Sequence, residues 1–316
     1  MRLQLGTRAS ALALWQAEYI RSLLLAMDRN LEIEIVKVQT KGDAILNKPL
    51  SKIGGKGLFT QEIENAMHAG ELDFAVHSLK DVPVDEDGEF VLAAFSERED
   101  RRDCFVSEHF ASLESLPKGA LVGTTSLRRT MQLKHLRPDL RTQSLRGNVI
   151  TRLERLRSGH FDAIILASAG VQRLGLQGKV AHIVPIPIET LIPAVGQGIV
   201  VAQCKRNNHA LCALLGRISD SKATLEALCE RSFSRSLGGG CQAPVGICAV
   251  LNHGICRVEA IVGLLDGSTI LKESLESPVS SDDDAQRLGI ALADLMRCKG
   301  AKALLAQARE MDFEGL

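Results

Sequence analysis

Six arginines, a lysine and a carboxylate stand in this chain just beyond short apolar runs, where one element ends and the next begins. LQLGTRAS sets Arg8 between a β-rich run and a helix capped by Ser10. DFAVHSLKDVP places Lys80 and Asp81 past the end of another such run. LVGTTSLRRT puts Thr124, Thr125 and Ser126 at a strand end and Arg128 and Arg129 in the first turn of the following helix. RTQSLRGNVITRLERL has Arg146 before an Asn148 cap with Arg152 one turn in, and ILASAGVQRLG ends on Arg173. The planar guanidinium fork suits two-pronged contact with carboxylate or phosphate. Adjacent arginines in a first helical turn oppose the helix dipole, which favours anions there. The pattern therefore predicts a pocket of converging cations around an oxyanion ligand.

Two further stretches bear on chemistry. In SRSLGGGCQAPVG, Cys241 follows Gly238, Gly239 and Gly240, residues that lead readily into turns. It reads either as a helix cap followed by a packing cysteine, or as a thiol held at a loop tip as an attachment point or nucleophile. KVQTKGDAILNKPLSKIGGKGLF is Gly- and Lys-rich with little periodicity. It reads as a surface loop or as a mobile cover whose Lys56 reaches the ligand; GGKGLF lacks the GxxxxGK[ST] of a phosphate-binding loop.

Composition narrows the classes. The chain has 316 residues, 45% of them hydrophobic and 24% charged, enough for two or three domains with ordinary cores. Eight cysteines are scattered without a C-x-x-C pair or histidines at zinc spacing, so neither a disulfide scaffold nor a metal site is expected. The 38 basic and 38 acidic residues cancel, which argues against a nucleic-acid binder. Between Arg98 and Arg173, however, twelve of the 24 arginines and two lysines face only eight acids. Arg8 interrupts the first apolar run and no small-residue cleavage site follows, and no apolar stretch is long enough to span a bilayer, so the expected location is the cytoplasm.

These residues need elements to position them. Short β-rich runs (LQLGT, LEIEIVKVQT, DFAVHS, LVGTTS, DAIILAS) alternate with amphipathic helical runs, which predicts α/β layers with largely parallel strands. SEREDRRDCFVS reads as a crossover into a basic second domain. LIPAVGQGIVVAQC reads as the return strand, with Gly196 and Gly198 flanking Gln197 as a hinge. APVGICAVL, ICRVEAIVGLL and TILKESLES followed by DDDAQRLGIALADLMRC mark an α+β region. The expected domains are residues 1–97 with 196–216, residues 98–195, and residues 217–316, the last carrying Cys241 at its start.

VHSLKDVP, SERED, GTTSLRR, SLRGNV, DAIILA, LIPAVGQG and GGGCQAPVG, in this order and spacing, resemble the porphobilinogen deaminase (hydroxymethylbilane synthase) family. The resemblance implies two periplasmic-binding-protein-like α/β domains plus a smaller α+β C-terminal domain. It also implies a transferase that joins four porphobilinogen molecules head to tail into hydroxymethylbilane, releasing ammonia, on a dipyrromethane cofactor. By matching motifs it assigns the cofactor thioether to Cys241 and the acid/base role to Asp81. Arg8, Ser10, Lys80, Thr124, Ser126, Arg128, Arg129, Arg146 and Arg152 match cofactor and substrate carboxylate ligands, Arg173 matches a further family arginine, and Lys56 and Gln197 are expected near the substrate. The implied partner is porphobilinogen alone, with the protein a monomer and no metal. An oxyanion-binding module and a cysteine acyltransferase are the competing readings from other classes; the first lacks a signal peptide or helix-turn-helix segment, and the second lacks a histidine in a triad context.

Overall fold

The computed structural model describes residues 1–44, 57–85, 88–238 and 243–311, so Lys56 and Cys241 lie outside the described residues. Two five-stranded sheets and one three-stranded sheet form the frame. The first sheet has the order β2 (Glu32–Val38), β1 (Arg2–Arg8), β3 (Phe74–Ser78), β10 (Val200–Lys205), β4 (Phe90–Phe95). The second repeats that plan with β7 (Arg141–Gln143), β6 (Leu121–Gly123), β8 (Ala163–Ala167), β5 (Asp103–Ser107), β9 (His182–Pro185).

Each of these sheets carries one strand against the grain. β10 pairs antiparallel with both β3 and β4, and β5 pairs antiparallel with both β8 and β9. The expectation of largely parallel strands is corrected to that extent, because periodicity reports which faces are buried and carries no strand direction. The opposed strand is in each case the first that follows a crossing from the other sheet. Residues 96–102 lead from β4 into β5, and residues 186–199 lead from β9 into β10.

Helices cover the sheets because each presents an apolar stripe. In α1 (Ala11–Met27), the Ser10 hydroxyl accepts from the Ala13 backbone N–H, and Ala13, Ala17, Ile20 and Leu24 turn one buried face toward β1 and β3. Strand β8 reads AIILA, apolar on both faces, as a strand covered from both sides must. Next in chain order come α2 (Gln61–Ala69), α3 (Leu127–Leu136), α4 (Val149–Arg157), α5 (Ser168–Arg173) and α6 (His209–Gly216).

The last sheet is an antiparallel meander of β11 (Val245–Asn252), β12 (Ile255–Gly263) and β13 (Ile270–Pro278). It packs with α7 (Ser221–Leu237), α8 (Asp282–Cys298) and α9 (Ala301–Glu310) around a core that includes Phe233, Val258, Leu292 and Met296. Phe233 is wholly buried, so truncation to Ala costs about 3–5 kcal/mol. Helix α7 ends at Gly238, whose left-handed φ of 76° lets its N–H reach Ser234 and Arg235 carbonyls.

The return crossover is held by two glycines. Gly196 and Gly198 have φ of 66° and 95°, where a side chain is strained. A Cβ at Gly196 would sit 2.5 Å from Leu79, and one at Gly198 would sit 2.5 Å from the Glu99 carbonyl oxygen. The two crossovers therefore run in backbone contact, and Arg98 Nε donates to the Gln197 carbonyl at 2.9 Å to join them.

Candidate active site

Strands β1 and β3 are parallel neighbours, so their carboxyl ends bring residues distant in sequence to one edge. Arg8 closes β1, and β3 runs into a single 3₁₀ turn, Leu79–Asp81. Arg8 Nη1 stands 3.6 Å from Asp81 Oδ2, and its guanidinium lies 4.2 Å above the Phe59 ring. Both charged side chains are partly exposed, and a pair this long is worth at most about 1 kcal/mol, so the Asp81 carboxylate stays available to another cation.

Behind them, buried His77 makes a hydrogen bond through Nε2 to Gln203 Oε1 at 3.1 Å, and Gln203 Nε2 donates to Glu64 Oε1 at 3.0 Å. Since the Gln203 nitrogen is donating onward, its oxygen accepts and the His77 proton resides on Nε2. Burial pushes His77 down to about 4, so the ring is neutral at ordinary pH. Burial also pushes Lys80 down to about 8; Asp81 and Asp103 pull its value up while Arg129 and Arg128 push it lower.

The opposite wall is built on two capped helices. Ser126 Oγ accepts from the Arg129 N–H at the start of α3, and Asn148 Oδ1 accepts from the Thr151 N–H at the start of α4. Arg128 and Arg129 turn onto one wholly buried carboxylate, Asp103. Arg128 Nη1 donates to Oδ2 at 2.6 Å, and Arg129 Nη2 donates to Oδ1 at 2.6 Å. The anion that the sequence demanded at this helix start is thus, in this structure, a side chain of β5. Burial would raise the Asp103 value, but the two guanidiniums hold it well below the ordinary carboxylate range.

Arg152 is differently placed. Its Nε donates to the Gly147 carbonyl at 2.9 Å, and among the described residues no carboxylate lies within ion-pair distance. Burial, and the charge of Arg129 after it, push Arg152 down to about 10. Burial alone lowers Arg146. Arg173 Nη2 donates to the Gly198 carbonyl at 2.7 Å and its guanidinium sits 5.5 Å from the Trp15 ring, while its buried Nε has no partner among the described residues.

Lys80, Arg129, Arg152 and Arg173 meet around a cavity of about 80 Å³ between the two large sheets, with Gln16 and Ser78 as further polar lining and Leu12, Val149 and Ile199 as apolar lining. Among the described residues no acidic side chain lines it. Four cations converging on one cavity, with Asp103 shared between Arg128 and Arg129, leave an excess of positive charge that fits a ligand bearing several carboxylates. Gln197 is buried beside this cavity and saturated: Nε2 donates to the Arg101 carbonyl at 2.9 Å and to Asp103 Oδ1 at 3.0 Å, and Oε1 accepts from Lys80 Nζ at 3.5 Å.

Some expected residues stand apart from the cavity lining. Ser10 caps α1, the Thr124 hydroxyl accepts from the Ser126 N–H at 3.2 Å, and Arg8 and Asp81 form their pair beyond the lining. Arg146 is buried in the turn before α4, and its charge is felt at Arg152.

Asp103 escaped the sequence reading, as did Glu226 and Glu230 on α7. Each of the three acids is wholly buried, and Glu226 and Glu230 are spaced i, i+4 on a helix expected to be ordinary. The one available signal was an acid opening the apolar run CFV.

A cleft between two α/β lobes, lined by cations and with one carboxylate at its edge, defines the class: a two-lobed α/β protein whose cleft is shaped and charged to suit an anionic small molecule. Comparison with known proteins makes this particular. Residues 3–213 match the family model "Porphobilinogen deaminase, dipyromethane cofactor binding domain", and residues 224–297 match "Porphobilinogen deaminase, C-terminal domain". The porphobilinogen deaminase of Campylobacter hominis is 49% identical over 310 residues, covering 98% of this chain and 99% of that one. Those of Aliarcobacter butzleri and Helicobacter hepaticus are 46% and 47% identical, covering 99% and 98% of this chain and 99% and 97% of theirs. Among solved structures, the periplasmic VFT2 domain of Bordetella pertussis BvgS aligns with 69% of this chain and 86% of its own at 14% identity and a TM-score of 0.41. The chain belongs to the porphobilinogen deaminase family.

Proposed function

We infer that this chain is the transferase that condenses four porphobilinogen molecules head to tail into hydroxymethylbilane, releasing ammonia at each addition, in tetrapyrrole biosynthesis. The observation that carries the reading is the cavity lined by Lys80, Arg129, Arg152 and Arg173 with no acid among its lining residues. Porphobilinogen carries an acetate and a propionate, so every ring added brings two more carboxylates that need fixed cations. The residues fit a dipyrromethane primer on the same ground. When bound, that group supplies a free pyrrole α-carbon as the first nucleophile.

The chain's own residues do the rest. Lys80, Arg129 and Arg152 hold carboxylates of primer and substrate, with Arg8, Arg128, Arg146 and Arg173 supporting them and Ser10, Thr124 and Ser126 offering hydroxyl donors. Loss of ammonia leaves positive charge on the substrate pyrrole. Asp81 stabilises that charge as a carboxylate and accepts the α-proton released on bond formation. Lys56 and Gln197 complete the ligand surroundings, Gln197 acting through Lys80. Cys241 holds the primer as a thioether, three residues along the sequence from Gly238, which ends α7. The cavity is small against the roughly 300 Å³ or more of a typical ligand pocket, so seating a growing chain requires the lobes to part. The crossovers that carry Gly196 and Gly198 are where they pivot. The protein works as a cytoplasmic monomer in this reading; among the described residues no helix is long and apolar enough to cross a membrane.

Intact mass tests this directly. The purified protein should be heavier than its sequence by one dipyrromethane, and peptide mapping should place it on Cys241. Brief exposure to limiting porphobilinogen should then give a ladder of added rings. Cys241→Ser should fold and carry neither primer nor ladder, and Asp81→Asn should keep the primer and lose most turnover. Reversible binding of porphobilinogen with no covalent ladder would sink the reading.

A further inference from the structure

Asp103 has no part in the roles just given. It is the first residue of β5, where the outgoing crossover enters the second lobe, and it is wholly buried. Its carboxylate accepts from three side chains. Arg128 Nη1 reaches Oδ2 at 2.6 Å, while Arg129 reaches Oδ1 from Nη2 at 2.6 Å and from Nε at 3.1 Å. The third is Gln197, from the return crossover, whose Nε2 donates to Oδ1 at 3.0 Å and whose Oε1 accepts from Lys80 Nζ.

We propose that Asp103 is a positioning residue for the condensation: its carboxylate orients Arg129 toward the substrate carboxylates, and Gln197 carries that alignment across the cleft to Lys80. This role rests on the function proposed above.

Hydrogen-bond capacity supports it. Arg129 has five N–H bonds, of which one on Nε and one on Nη2 go to Asp103 and one on Nη1 goes to the Ile165 carbonyl at 2.8 Å. One N–H remains on each terminal nitrogen of a guanidinium that lines the cavity and is held along its other edge. A fork so held cannot swing, which is the preorganisation that gripping a carboxylate requires. Arg128 is spent differently: Nη1 bonds both Asp103 and the Ile192 carbonyl, making it a strut from the second lobe to the return crossover.

Charge adds a second argument. Two guanidiniums share one carboxylate, so the cluster keeps a net positive charge, and Asp103 aligns the cations without cancelling the attraction for an anion. Gln197 is equally committed, with both N–H bonds and its oxygen engaged, so its leverage on the substrate passes through Lys80.

The test uses full-length protein carrying Asp103→Asn, Asp103→Glu or Gln197→Met, with KM and kcat for porphobilinogen, intact mass and the unfolding midpoint as readouts. Asp103→Asn keeps the shape and removes the charge; kcat/KM should fall about 100-fold, the scale of a buried pair left without its counter-charge. Asp103→Glu, which restores a carboxylate one methylene away, should recover about tenfold of that loss, a rescue that bulk stability alone would not give. Gln197→Met keeps volume and alters no charge; KM should rise about tenfold, with kcat falling less, if Lys80 loses its alignment. A folded Asp103→Asn protein with kcat/KM within about threefold of the parent would overturn the role. Should that variant fail to fold, Gln197→Met decides, and a KM within about twofold of the parent would overturn it. An unmutated protein unable to turn over porphobilinogen would overturn both function and role, whereas an active parent with indifferent variants would overturn the role alone.

Discussion

Two buried ion clusters sit on the same pair of crossovers and are balanced differently. At the cleft, Arg128 and Arg129 share the single carboxylate of Asp103. Beside α7, Arg98 and Arg101 meet two carboxylates: Arg98 Nη1 is 2.8 Å from Glu230 and 3.4 Å from Glu226, and Arg101 Nη2 is 2.9 Å from Glu226. The glutamates also take backbone donors, Glu230 from Gly196 at 2.7 Å and Ala249 at 2.9 Å, and Glu226 from Leu251 at 3.0 Å. Burial works against both Arg98 and Arg128, but Glu230 overcomes it and raises Arg98, whereas Arg128 stays lowered with Arg129 opposing Asp103. The second cluster is a neutral rivet joining both crossovers to the C-terminal region. The first keeps an excess of positive charge beside the cleft, an excess suited to an anionic ligand.

The largest expected effect breaks the rivet. Glu230→Gln keeps the shape and removes a charge that two Arg98 nitrogens and two backbone amides point at, so stability should fall by about 3–5 kcal/mol in urea unfolding. A cost below about 1 kcal/mol would make the two clusters alike and end the distinction.

The cleft should behave in the opposite sense. Arg152→Met removes a half-buried cation that has no carboxylate within ion-pair distance among the described residues, so the unfolding midpoint should hold or rise. The same change should lower kcat/KM for porphobilinogen about 30-fold, or about 2 kcal/mol. Loss of stability together with activity would return Arg152 to an ordinary structural role.

The smallest effect sharpens the comparison through pH. Lys80 titrates near 8 in the fold against an ordinary 10.5, so the unfolded chain binds more protons between those values and stability rises with pH across them. Below pH 8 the cost of keeping the amine charged is present in full. The cation that grips a carboxylate is lost over the same window, so KM should rise about tenfold by pH 9 while folding becomes firmer, with bound carboxylate moving the onset upward. Lys80→Met should flatten both trends, and parallel trends in the unmutated protein would contradict this account.

Local physics made much of the frame legible. The Ser10 and Asn148 caps follow from a short polar side chain placed before an amphipathic run, and the structure has both. The glycines around Gln197 announced unusual backbone, and both have positive φ. Lys80, Arg129, Arg152 and Arg173 were each visible as basic residues past a strand end, and the cavity collects all four. Asp103 was counted only as one acid in a charged crossover, because nothing within a few residues of it says that α3 will bring two guanidiniums to it from 25 and 26 positions away.

What this chain determined by itself, then, is whatever depends on neighbours along the backbone: the periods that make strands and helices, the caps that start them, and the supply of arginines at their junctions. Tertiary structure alone decided how the charges pair. Whether a guanidinium is spent on an internal carboxylate, as Arg98 and Arg128 are, or carries its charge into the cleft without one, as Arg152 does, depends on distances between residues as far apart as 98 and 230. Coulomb energy depends on separation in space and on burial, and neither is written in sequence spacing.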